Sequence, residues 1–109
     1  MDLKIVMCHN YLPCEAAKQE YAQGRDWYVH IGTSSSLKRD GFDGWAKKHL
    51  TLDSECPQSM PELNFTFCEL EALYAGSSLP EVKKADYVGL CHNRRLFNIV
   101  QVESCCRLL

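Results

Sequence analysis

Asp86-Tyr87-Val88-Gly89-Leu90-Cys91-His92-Asn93-Arg94-Arg95-Leu96-Phe97 is the stretch on which the reading of this chain turns. Residues 87–91 form an apolar, strand-like run, and the run ends abruptly in a histidine and two adjacent arginines. The guanidinium is a planar fork that matches phosphate oxygens and stays charged at any ordinary pH. In open α/β sheets, ligands gather at the carboxyl ends of strands. A basic turn in that position predicts the phosphate-reading edge of a nucleotide or sugar-nucleotide site.

Working outward, the N-terminal Leu3-Lys4-Ile5-Val6-Met7-Cys8 is nearly continuously apolar with β-branched members. That pattern suits a strand buried on both faces, as in a parallel sheet. It runs into the polar and aromatic loop His9-Asn10-Tyr11-Leu12-Pro13, and residues 15–23 then have helix-forming composition. Gly24 is placed to stop that helix. Trp27-Tyr28-Val29-His30-Ile31 reads as a second strand. Strand, helix, strand at this spacing predicts a parallel crossover.

Residues 37–58 are the least legible, with Trp45-Ala46-Lys47-Lys48-His49-Leu50 reading as one or two helical turns. A second long helix is expected from residue 64 onward. Thr66 and Glu69 have capping-box spacing, and Phe67, Leu70, Leu73 and Tyr74 make an apolar stripe for packing on a sheet. Gly76 and the serines after it end this helix. Leu96 to Val102 is apolar enough for a further strand. The expectation is an α/β domain over residues 1–103, with a mostly parallel three- to four-stranded sheet and flanking helices, and a tail over residues 104–109.

Twelve Lys and Arg against fourteen Asp and Glu leave a net charge of −2. No global field draws nucleic acid or an anionic membrane, so any anion must be held by a local cluster. No apolar run approaches the ~20 residues of a membrane span, and no leader pattern opens the chain; a cytoplasmic location is expected. Seven cysteines without a Cys-x-x-Cys pair speak against both a disulfide framework and a zinc site. Cys8, Cys68 and Cys91 read as small buried hydrophobes.

The pair of segments Cys68-Glu69-Leu70-Glu71-Ala72-Leu73-Tyr74 and Ala85 to Phe97 resembles a bacterial capsular polysaccharide and lipopolysaccharide glycosyltransferase-like family, with a DUF4422-type domain. That family's pattern is a Glu-Leu-Thr-(Gly/Ala)-Leu-Tyr helix followed by Asp-Tyr-(Ile/Val)-Gly-Leu-x-His-Tyr-Arg-Arg-x-Phe. Lys4-Ile5-Val6 with the His9 loop, and Val29-His30-Ile31-Gly32, are similar to its opening. Asn93 stands where the family has Tyr. The family's domain continues past the Arg-Arg motif, so the resemblance covers its N-terminal half, and the acceptor-binding half is expected to be missing here.

The resemblance implies the nucleotide-binding half of a GT-A glycosyltransferase. It would transfer sugar from a nucleotide-sugar donor to a glycan acceptor in surface polysaccharide synthesis. The alternative is a catalytically inactive remnant that binds a nucleotide or a protein partner. Arg94 and Arg95 are expected to hold the donor diphosphate, His92 to act as the catalytic acid/base, and His9 and Tyr11 to meet the nucleoside. Glu62, Asn64 and Glu69 are weaker candidates, since a capping role already explains Glu69. No Asp-x-Asp metal motif is present, and no cofactor is expected beyond the donor; paired arginines can take a metal's place in neutralising the leaving group. His30 reads as a core residue and His49 as solvated.

Overall fold

The computed structural model describes residues 2–23, 26–64 and 69–93. The expected strand at 96–102, the tail, Arg94, Arg95, Thr66, Phe67 and Cys68 lie outside the described residues. In chain order the elements are β1 (Leu3–His9), α1 (Glu15–Gln23), β2 (Tyr28–Gly32), α2 (Gly44–His49), β3 (Leu50–Leu52), α3 (Glu69–Ser77), α4 (Pro80–Lys83) and β4 (Tyr87–His92). Short 3-10 turns occupy Arg39–Gly41, Asp53–Glu55 and Pro61–Leu63.

The four strands form one all-parallel sheet in the order β3-β2-β1-β4. The expected α/β class and parallel sheet are what the structure shows. The composition of the sheet differs from the expectation in one respect. The fourth strand among the described residues is Leu50–Leu52, inside the stretch that was least legible. It follows α2 without a break and pairs His30↔Leu50, Ile31↔Thr51 and Gly32↔Leu52.

β1 is central, and its alternation explains why it reads as a continuous apolar run. Ile5 and Met7 face one side with Tyr21 of α1, joined by Ala17 and Trp45 of α1 and α2. Val6 and Cys8 face the other side with Ala72 and Ala75 of α3 and Val82 of α4. Leu37, Phe42, Ala46, Leu50 and Leu52 close a third cluster beside β3. α1 and α2 are tied at the surface by Lys18, whose ammonium lies 3.0 Å from Glu15 and 2.9 Å from Asp43. Asp43 also caps α2 by accepting the Ala46 N–H at 2.9 Å.

The packing face of α3 is not the large apolar stripe expected from the sequence. Leu70 is 59 % exposed and Tyr74 43 % exposed, whereas Glu71, Ala72, Ala75 and Gly76 are buried. The reason is distance. A Cβ on Gly76 would lie 3.0 Å from Val6 Cγ1 and 3.1 Å from Ile31 Cγ1. Directly over Val6 and Ile31 the helix has room only for small residues, so Leu70 and Tyr74 turn outward, while Leu73 of the expected stripe does pack against the core. Gly76→Val is therefore expected to lose about 1–3 kcal/mol of stability through overpacking, read as a lower midpoint in urea unfolding with an unchanged slope.

Candidate functional site at the carboxyl edge of the sheet

All four strands are parallel, so their carboxyl ends share one edge. Chain order from β1 through β2 to β3 moves outward on one side of β1, and β4 lies on its other side. The reversal of direction falls between β1 and β4, which is where parallel α/β sheets open a crevice for ligands. The two strands are paired as far as Cys8↔His92, and the Asn93 N–H extends the ladder to the Cys8 carbonyl at 3.1 Å.

Three polar side chains meet at this edge. Asn10, directly after β1, is held from both sides. Its Oδ1 accepts the Thr33 hydroxyl at 2.9 Å, and its Nδ2 lies 3.4 Å from His92 Nε2. Thr33 follows β2 and is fully buried; its N–H and hydroxyl also reach the His9 carbonyl, at 2.9 and 3.3 Å. Asn93 is 6 % exposed, and among the described residues neither its amide nitrogen nor its amide oxygen has a hydrogen-bond partner. Its carbonyl accepts the Tyr21 hydroxyl at 3.0 Å. Tyr11, next to Asn10, is 48 % exposed.

Beneath the edge lies an aromatic floor. His9, expected at the nucleoside, has the right position in the chain but turns inward and has no exposed surface. Its Nε2 is 2.9 Å from His30 Nδ1, so one ring donates and the other accepts. Tyr21 and Trp45 pack edge-on to His9 with ring centroids 5.6 and 6.0 Å away. Burial, then the neighbouring His30 and His92, push the His9 pKa down to about 3. Burial and His49 push His30 down to about 4. Both rings stay neutral at physiological pH and act as a rigid support. His30 is thus a core residue, as expected, and His49 is exposed.

Of the site residues expected from sequence, the structure brings His92 to Asn10 and sets Tyr11 beside them. It does not bring Glu62, Asn64 or Glu69 there. Glu62 is exposed and Glu69 half-buried on the approach to α3, and Asn64 accepts the Ser35 hydroxyl at 3.4 Å beyond β2. Arg94 and Arg95 follow Asn93 in sequence and lie outside the described residues. Asp86 is at the opposite end of β4, where its carboxylate accepts the Asp2 N–H at 2.8 Å. Sequence reasoning missed Asn10 and Thr33. The signal was available, since both stand immediately after an apolar run in a sheet whose strands all end at one edge. Among the described residues no group of three His, Cys, Asp or Glu side chains is arranged to hold a metal ion, and no helix is long and apolar enough to cross a membrane.

The sequence pattern of the domain of unknown function DUF4422 matches residues 5–106. The chain belongs to that family. Comparison with curated proteins and with solved structures gives no match. The match takes in β1 from Ile5 onward, the Asn10 loop and the whole of β4, so the carboxyl edge lies within the DUF4422 region.

The two neutral histidines set an acid limb for this DUF4422 domain. Their folded pKa values lie below the ordinary histidine value near 6.5, so the unfolded chain binds the extra protons. The histidines' contribution is complete above about pH 6.5 and falls as pH drops toward 4, by roughly 1.4 kcal/mol per pH unit for each histidine. The double variant His9→Leu/His30→Leu is expected to flatten this limb in urea unfolding between pH 7 and 5. Removing both partners together leaves no orphaned ring nitrogen.

Proposed function

We propose that this DUF4422 domain is the donor-binding part of a glycosyltransferase. It would take a nucleotide-sugar in the β1–β4 crevice and deliver the sugar to a surface polysaccharide such as a capsule or lipopolysaccharide. The observation that carries the reading is the topology. β4 ends in His92 and Asn93 at the point where the strand order reverses, beside the polar loop that ends β1, and Arg94-Arg95 come next in the sequence. The likeness of two sequence motifs to capsular and lipopolysaccharide glycosyltransferase-like proteins supports the same reading.

In this scheme Arg94 and Arg95 take the diphosphate oxygens and stabilise the leaving nucleoside diphosphate as the sugar–oxygen bond breaks. His92, oriented by Asn10, donates a hydrogen bond to the phosphate or moves the acceptor's proton. Tyr11 stacks on the base, and the Asn93 amide serves as a buried polar partner. His9 supports this surface from below.

Thermal denaturation with nucleoside diphosphates tests the reading. At ten times its Kd a ligand contributes about 1.4 kcal/mol, a rise of several degrees in Tm for a domain of this size. Uridine or guanosine diphosphate is expected to give that rise with the wild type and not with Arg94→Ala/Arg95→Ala. No rise at millimolar ligand contradicts donor binding, and a rise that survives the double substitution moves the site. Binding without release of sugar from the matching nucleotide-sugar would mark a domain that has kept the grip and lost the turnover.

A further inference from the structure

Two carboxyl groups that the donor-binding scheme does not use face each other farther along the same edge. Asp53 follows β3 directly and has no exposed surface; its Oδ1 accepts the Ser34 N–H at 3.0 Å and the Ser54 N–H at 2.7 Å. Glu71, in the first turn of α3, is 3 % exposed. The Glu71 carboxyl is surrounded by the Asp53 carboxyl, the Asn64 side chain and the Met60 N–H. Farther out, the Cys56 thiol borders the same cluster, together with the carboxylates of Glu55 and Glu81. Val6 and Ile31, packed under Gly76 of α3, do not titrate. Among the described residues no Lys, Arg or His is ion-paired with Asp53 or Glu71. Asp53 Oδ2 and both Glu71 oxygens make no well-aligned hydrogen bond there.

Two ionised carboxylates do not share a dry volume without a cation. One of them must carry a proton. Asp53 already has two N–H donors on one oxygen, which stabilise its charge, so the proton belongs mainly to Glu71. Burial first, and then Asp53, raise the Glu71 pKa to about 7.

We propose that Asp53 and Glu71 hold a single proton between them, that this proton clasps the first turn of α3 onto the end of β3, and that its loss loosens this corner. The corner borders an apolar groove of about 170 Å³ lined by Met60, Leu63, Leu70 and Tyr74 with Glu71. Ser34, held by Asp53, is the neighbour of Thr33, which holds Asn10. The clasp is thus one residue away from the support of the β1–β4 crevice, although it does not depend on what that crevice binds.

The sign follows from linkage. A carboxyl with a raised folded pKa binds its proton more tightly in the folded chain, so its contribution is greatest at acid pH and is lost as pH rises through about 7. This runs opposite to the histidine limb, and a ratio between two variants at each pH cancels the histidines.

Urea unfolding of wild type, Glu71→Gln and Asp53→Asn at pH 5, 6, 7 and 8 tests the proposal. The wild-type folding constant divided by that of Glu71→Gln is expected to fall by about 70-fold from pH 5 to 8, about sevenfold between pH 5 and 6 and about tenfold between pH 6 and 8. A ratio that stays constant overturns the shared proton. If Glu71→Gln does not fold, infrared spectroscopy of the wild type decides. A protonated-carboxyl stretch at pH 6 that vanishes by pH 8.5 supports the proposal, and no such band at pH 6 overturns it. For the loosening, protection of the Cys56 amide, which bonds the Asp53 carbonyl at 3.2 Å, is expected to drop relative to Glu71→Gln as pH rises. Equal protection in both chains across the range overturns that half.

Discussion

The carboxyl edge depends on β1 being hydrogen-bonded on both sides, to β2 and to β4. A buried strand with an unpaired side would leave a row of amides and carbonyls without partners, at a cost of about 1–3 kcal/mol for each group. The double pairing also makes both faces of β1 interior, so its side chains serve two cores at once. Ile5 and Met7 serve the core under α1 and α2, and Val6 and Cys8 the core under α3. Once this strand is fixed, the ends of its neighbours are fixed to within one residue. Asn10, Thr33, Asp53 and His92–Asn93 then stand along one margin of the sheet.

Much of this was legible before the structure. β1, α1, β2 and β4 carry their type in local pattern, because a doubly buried strand is continuously apolar and α1 is bounded by Pro13 and Gly24. β3 carries no such pattern. It has three residues, begins where α2 ends, and is a strand only because the edge of β2 offers a partner to Leu50 and Leu52. The inner face of α3 was misread for a related reason. Hydrophobic periodicity assumes that large residues pack inward, whereas the close approach to Val6 and Ile31 selects Ala72, Ala75 and Gly76. Cross-strand register and helix–sheet distance are properties of the assembled chain, not of a window along it.

The candidate site was legible in outline for the same local reasons. His92 and Tyr11 stand after apolar runs, and the parallel sheet puts both at one margin. The inward turn of His9 was not readable, because whether a residue at a strand end faces the core or the solvent depends on where Tyr21, His30 and Trp45 arrive. Nor was the meeting of Asp53 with Glu71, which stand eighteen positions apart in sequence and come together only when α3 lies over the end of β3. The edge therefore has two parts of different character. Neutral histidines stiffen the part near β1, while the part near β3 is held by a proton that neutral pH can remove.

On the proposed reading, the crevice between β1 and β4 binds a nucleoside diphosphate. Amide-resolved nuclear magnetic resonance during titration with uridine or guanosine diphosphate tests it most directly. Saturable shifts are expected at Asn10, Tyr11, Thr33, His92 and Asn93, and at Arg94 and Arg95. Shifts confined to the Met60–Tyr74 groove, or none at millimolar ligand, would contradict it.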